Sequence, residues 1–202
     1  MKRHSQSSTF ACDSGRTGLL ACGLALLWLT SGWAGAEEPA PAAGPATGTV
    51  DFSGVWKLDL ARSRSPEFNE ILAFQGINRL FRGIANRTVV TQTLRQEAFD
   101  VLHVEIKSAF ITRRETQYLD GRETTTTNLQ GQAMLNVSTW TDGGAAIVTK
   151  AKTQNAEGTP ALLIITRELG DEPDTMYLDM ELQIQGRTPI KARRVFIRAP
   201  GQ

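Results

Sequence analysis

Two hydrophobic periods divide the chain. From Val50 to Leu60 the pattern alternates, with Phe52, Trp56, Leu58 and Leu60 on one parity. That predicts a strand with one buried face. Ser65-Pro66-Glu67 then reads as a helix start: a capping hydroxyl, a proline at the first helical position and an acid in the first turn. Phe68, Ile71 and Leu72 follow at i, i+3, i+4, and Gly76 stands where a helix ends in a left-handed residue. Ile77, Leu80, Phe81, Ile84 and Ala85 continue the helical period, with Asn78, Arg79, Arg82 and Asn86 opposite. The spacing predicts two short amphipathic helices in a hairpin after the first strand.

Beyond Asn86 the period becomes 2. Strand-like runs cover 87–94, 99–108, 112–119, 123–129, 133–141, 145–153, 160–169, 176–184 and 188–198. Turn signals between them include Asp120-Gly121, Gln130-Gly131, Asp142-Gly143-Gly144, Glu157-Gly158 and Gln185-Gly186. Sequential strands without crossover helices make an antiparallel meander. Counting the first strand, the expectation is a mainly β, ten-stranded antiparallel meander closed into a barrel, since closure removes exposed edges.

The segment before this domain has another character. Lys2, Arg3 and His4 open a basic stretch, Leu19 to Leu29 is apolar, and Ala34-Gly35-Ala36 supplies small residues. This is the layout of a signal peptide over 1–36, too short in its apolar core for a membrane-spanning helix. Export to a periplasmic or extracellular space follows, with no stable membrane insertion. Leu19-Leu20-Ala21-Cys22 resembles a lipid-attachment box, but it precedes the apolar core instead of following it. Residues 37–49 are rich in Pro, Ala and Gly, the composition of a tether. The folded domain is expected over 50–199.

Charge and cysteine usage exclude more than they assign. The 22 Lys+Arg and 21 Asp+Glu balance, which gives no electrostatic case for a nucleic-acid partner. Both cysteines, Cys12 and Cys22, precede Ala36, so an exported domain would hold together without disulfides. Beyond the leader, His103 is left without a second histidine or a thiol. Thiolate and histidine-rich metal sites are excluded there, as is a cysteine nucleophile. Asp171, Glu172 and Asp174 cluster at a turn, too few ordered acids for a calcium site. No metal, no cofactor and no enzymatic activity are expected.

Several segments, in order, resemble the fatty-acid-binding branch of the calycins. Phe52-x-Gly54-x-Trp56-x-Leu58 is similar to the calycin opening, and Phe68-x-Glu70-Ile71-Leu72, Gly76-Ile77 and Arg82-x-Ile84-Ala85 resemble the family's portal helices. Ser108-x-Phe110 resembles the turn facing that portal, Arg167-Glu168-Leu169 the eighth strand, and Arg194-Val195-Phe196 the closing Arg-x-Tyr with Phe in place of Tyr. The "Gly-x-Trp-Lys-Leu-Asp" start is also similar to secreted bacterial lipocalin-like proteins. The resemblance implies a β-clam barrel, acting as a monomer, that takes a small hydrophobic or amphipathic ligand such as a fatty acid. It also implies that Arg167 and Arg194 hold the carboxylate, with Phe196 beside them and Phe81 and Phe110 at the portal.

The residues themselves leave this open. Arg194 shares parity with Ile190, Ala192, Phe196 and Arg198, and Arg167 with Ala161, Leu163 and Ile165. On such faces an arginine either meets a ligand anion, pairs with a barrel acid such as Glu181, or lies on the solvent side. A filled barrel serving as an envelope interaction module is the alternative function.

Overall fold

The computed structural model describes residues 49–128, 131–141 and 143–200. The leader, Cys12, Cys22, the Ala36 cleavage site and nearly all of the tether lie outside the described residues.

Ten strands and two helices follow one another as read from the periods: β1 Gly54–Leu58, α1 Pro66–Phe74, α2 Arg79–Ala85, β2 Thr91–Glu97, β3 Val101–Lys107, β4 Thr112–Tyr118, β5 Asp120–Thr127, β6 Ala133–Trp140, β7 Ala146–Gln154, β8 Pro160–Leu169, β9 Thr175–Ile184 and β10 Ile190–Arg198. They form one antiparallel sheet in the order β4-β3-β2-β1-β10-β9-β8-β7-β6-β5. The first and last strands pair with each other, Leu58 opposite Phe196, and that pairing curls the meander round. The barrel is nearly closed: β4 and β5, consecutive in sequence, are the two ends of the sheet order and share no hydrogen-bonded ladder. A cleft of about 690 Å³ lies between them, lined on its two sides by residues such as Glu115 and Thr126.

The local chemistry explains the helices. Ser65 Oγ accepts from the Phe68 N–H at 3.2 Å, and Pro66 opens α1. Gly76, at φ +77°, ends it. The second helix differs from its sequence expectation. Asn78, assigned to the polar face, is instead the cap: its Oδ1 accepts from the Phe81 N–H at 3.0 Å. Ile77 is thereby excluded from α2, and the helix has no buried residue. A carboxamide that satisfies an orphan amide outweighs one more apolar position in the periodicity.

Two other boundaries move for identifiable reasons. The second strand begins at Thr91 instead of residue 87, because Thr88 still donates its hydroxyl to the Ile84 carbonyl at the helix end. Asp120-Gly121, expected as a turn, lies within β5. Gly121 at φ +83° there accompanies a register shift between Asp120 and Glu123, a bulge and not a reversal.

Two apolar clusters pack inside the barrel. One packs Trp56, Phe52, Leu102, Ile147, Met176 and Phe196 among its buried members. The other gathers Leu163, Met180, Leu182 and Ala192 under Ile71 of α1. Between them the interior carries charge.

Candidate functional site: a buried arginine row

Strand register decides which way each arginine points. Leu178 on β9 stands opposite Arg167 on β8 and opposite Arg194 on β10. The three side chains therefore share one face and one level, and the arginine backbones are two strand spacings apart, roughly 10 Å. That face is the interior: Met180 and Leu182, on the parity of Leu178, are buried, as are Leu163, Ala192 and Phe196 on the arginines' own strands. Both arginines are 5% exposed.

Among the described residues neither makes an ion pair. Arg167 reaches across the barrel and donates to two amide oxygens, Gln117 Oε1 on β4 and Gln92 Oε1 on β2, each at a long 3.4 Å. Its Nε is buried without an acceptor. Arg194 has the Phe68 ring of α1 against its guanidinium at 4.1 Å. Among the described residues no hydrogen-bond acceptor serves it. Glu181, the barrel acid that sequence left open as a partner, pairs with Lys191 at 3.1 Å. Arg193, one position along, faces out and is held by Asp179 at 2.6 Å with Tyr177 beneath it. The alternation of β10 thus separates a solvated, paired arginine from a buried, unpaired one.

The electrostatic consequence is large. Desolvation pulls Arg167 down to about 10, partly opposed by the Glu115 carboxylate, and pulls Arg194 down to about 10 as well. Both still carry charge at neutral pH. A buried cation without a counter-ion is costly, and an anion placed between the two would relieve that cost.

The other sequence-predicted residues go elsewhere. Phe196 is 2% exposed and belongs to the Trp56 cluster, two residues along β10 from Arg194. Phe81 is 58% and Phe110 72% exposed. Phe110 lines a cleft of about 680 Å³ with Leu80, Ile84 and Arg87 of the α2 region. The structure brings Arg167 and Arg194 together and leaves Phe81 and Phe110 at the surface.

Sequence reasoning missed four contributors. Gln92 stands opposite Trp56 and Gln117 opposite Leu102, yet nothing in their strands marks them as partners of a distant arginine. Phe68 was read as helix core, and it is also the ring that meets Arg194. The role of Arg198 was missed as well. It stacks on Trp56 at 4.2 Å, donates to the Ser53 carbonyl at 2.7 Å and pairs with Asp174 at 3.2 Å, locking the closed end. The Asp171–Asp174 turn is thereby explained in part: Glu172 holds Arg62 at 2.9 Å and Asp174 holds Arg198.

Solved structures share this architecture. Caenorhabditis elegans lipid binding protein 8 aligns at 18% identity over 73% of this chain and 95% of its own, with a TM-score of 0.56. Echinococcus granulosus fatty-acid-binding protein 1 aligns at 17% identity over 74% and 98%, TM-score 0.54. As-p18, an extracellular fatty acid binding protein, aligns at 18% over 73% and 96%, TM-score 0.52. The chain has the fold of the fatty-acid-binding proteins. No protein-family model and no curated protein sequence matches it.

Proposed function

We propose that the protein is an exported, noncatalytic carrier of a small amphipathic lipid acid of the fatty-acid class. One observation carries this reading: two buried guanidinium groups face one interior level, and neither has a carboxylate paired to it. A carboxylate presents two oxygens, and arginine donates to both in parallel, so the pair is matched to a carboxylic acid head group. The apolar cluster beneath α1 receives hydrocarbon. The similar structures are named for lipid or fatty-acid binding, which supports the ligand class. The basic, apolar and small-residue layout of 1–36 supports export, and one similar structure is named as extracellular.

Noncatalytic action rests on the chemistry available. His103 sits on the parity opposite the buried Leu102 and Val104, and its Nδ1 is within 3.1 Å of Thr116 Oγ1. It has no access to the arginine row, and no nucleophile–base pair can be assembled there.

The test is calorimetric titration of delipidated protein with palmitate and with hexadecanol. Arg194→Met should weaken palmitate binding by ~2–5 kcal/mol and hexadecanol binding much less. Arg193→Met, on the outer face, should change neither. If the two variants behave alike, or acid and alcohol lose equally, the carboxylate site is wrong and the filled-barrel interaction module takes its place. Intact mass of the protein recovered outside the cytoplasm should begin at Glu37; a retained leader or a lipidated Cys22 would overturn export by cleavage.

A further inference from the structure

We infer, building on the carboxylate reading above, that the ligand is a hydroxylated fatty acid, with its hydroxyl in the middle or distal part of the chain. The interior is two-faced. On β8–β10 the positions beyond the arginine row are apolar: Leu163, Ile165, Met180, Leu182 and Ala192. Register places a different wall directly beside β8, with Thr149 opposite Ile165 and Thr153 opposite Ala161. Thr149 and Thr153 share the interior parity of Ile147 and Ala151 on β7; Ser138 stands opposite Thr149, Asn136 opposite Ala151, and Thr124 opposite Asn136. The wall from β5 to β7 therefore presents hydroxyl and amide groups where a simple acyl chain would call for valine or leucine. Laying hydrocarbon against it leaves any group that the wall does not itself satisfy without water and without a partner.

Part of the wall satisfies itself. Ser138 and Thr149 hydroxyls meet at 2.9 Å, and Asn136 Nδ2 donates to Thr126 Oγ1 at 2.7 Å. Two atoms do not: Asn136 Oδ1 and Thr153 Oγ1 are buried with no hydrogen-bond partner, and Thr153 is 8% exposed. Turning the Asn136 amide over does not help, since one of its two ends is left without a partner either way. A hydroxyl both donates and accepts, so it serves Thr153 and either orientation of Asn136. Ile147 pairs with Arg167, while Ala151 and Thr153 lie further along the same strand, roughly 13 and 20 Å from that level. A ligand whose carboxylate sits at the arginines would bring carbons well past its head group to these positions.

Delipidated full-length protein should be titrated with stearate and with 9-, 12- and 17-hydroxystearate. At least one hydroxy acid should bind about tenfold more tightly than stearate, the scale of one buried hydrogen bond. Thr153→Val, which keeps shape and removes the hydroxyl, or Asn136→Leu should cut that ratio to about threefold or less. Arg194→Met should weaken both acids and leave the ratio in place. If stearate binds as tightly as every hydroxy isomer, or if both wall variants keep the ratio, the inference is wrong while the carboxylate site stands. If no acid binds, including stearate, the carboxylate reading falls with it. Melting temperatures identify a variant that fails to fold; should Asn136→Leu do so, the near-isosteric Thr153→Val decides the matter.

Discussion

Arg194 and Arg198 lie on the same interior-facing parity of β10, one helical-looking step of four residues apart, and they live in opposite circumstances. Each has an aromatic ring against its guanidinium, Phe68 for Arg194 and Trp56 for Arg198. Arg198 also has an acceptor in every direction that matters: the Ser53 carbonyl and the Asp174 carboxylate, in a partly solvated position. Arg194 has the ring alone and is almost fully buried. Strand geometry and residue type are shared, so neither makes the difference. The supply of acceptors does. A completed shell turns an arginine into a structural lock at the closed end, and an incomplete one leaves a charge that only an incoming anion can complete.

The sharpest way to break this contrast is to remove the platform under the lock. Trp56 is fully buried, its indole N–H donates to the Phe52 carbonyl at 2.9 Å, and it carries Arg198. Trp56→Ala should cost ~3–5 kcal/mol of stability in denaturant unfolding. A loss below ~1 kcal/mol would mean that Trp56 does not anchor the core at the closed end.

Next in size, the two arginines should respond with opposite signs. Arg198→Met should lower stability by ~1–2 kcal/mol through its lost carbonyl bond and ring contact, without affecting acid binding. Arg194→Met should raise the stability of the ligand-free protein by ~1–3 kcal/mol while weakening acid binding, because it replaces an uncompensated buried charge with an apolar stem. Paired melts of both variants, with and without palmitate, check the signs. Two losses of equal size would erase the distinction.

Gly54 sharpens the lock from its backbone. At φ +138° it occupies a conformation that side chains rarely adopt, and a Cβ there would lie 2.4 Å from an Arg198 guanidinium nitrogen. Gly54→Ala should cost ~1–3 kcal/mol and should also displace Arg198. Combined with Arg198→Met, the penalty should shrink, since part of the clash is gone; strict additivity in that double-mutant cycle would separate the glycine from the lock.

The smallest and slowest effect is in pH. Arg167 and Arg194 both sit near 10 in the ligand-free protein, lowered by desolvation. For a base held below its ordinary value, burial of the charged form opposes folding at every pH below the folded value. That penalty is relieved as pH rises from about 10 toward the ordinary arginine value. A bound carboxylate raises these values again, so acid affinity should hold steady from pH 7 to 9. It should then fall by up to about tenfold per pH unit above 10 for each arginine that titrates. Hexadecanol affinity should stay flat. A palmitate affinity unchanged up to pH 11 would place the carboxylate elsewhere.

Much of this was legible in the letters. Period-2 alternation put Arg194 on the parity of Ala192 and Phe196, because a strand turns each successive side chain to the opposite face whatever its neighbours are. The switch from period 3.6 to period 2 after Asn86 placed the helix pair and the strand meander for the same reason. Boundaries were less secure where a side chain captured a backbone group: Asn78 capping α2 and Thr88 bonding Ile84 both override periodicity with a local hydrogen bond. Gly121 looked like a turn because a left-handed glycine serves a bulge as well as a reversal.

The sequence by itself therefore determined the order of the elements, the parity of the strands that carry Arg167 and Arg194, and so which arginines could lie inside. It could not determine which polar groups meet. Gln92 and Gln117 converge on Arg167 from strands far apart in the chain, and Phe68 arrives over Arg194 from a helix. Glu181 was a possible counter-ion until register turned it outward to Lys191. Whether a buried charge is paired depends on distances across the barrel, and those exist only once β1 has paired with β10 and curled the sheet round. Facing is a property of the local backbone; satisfaction is a property of the closed fold.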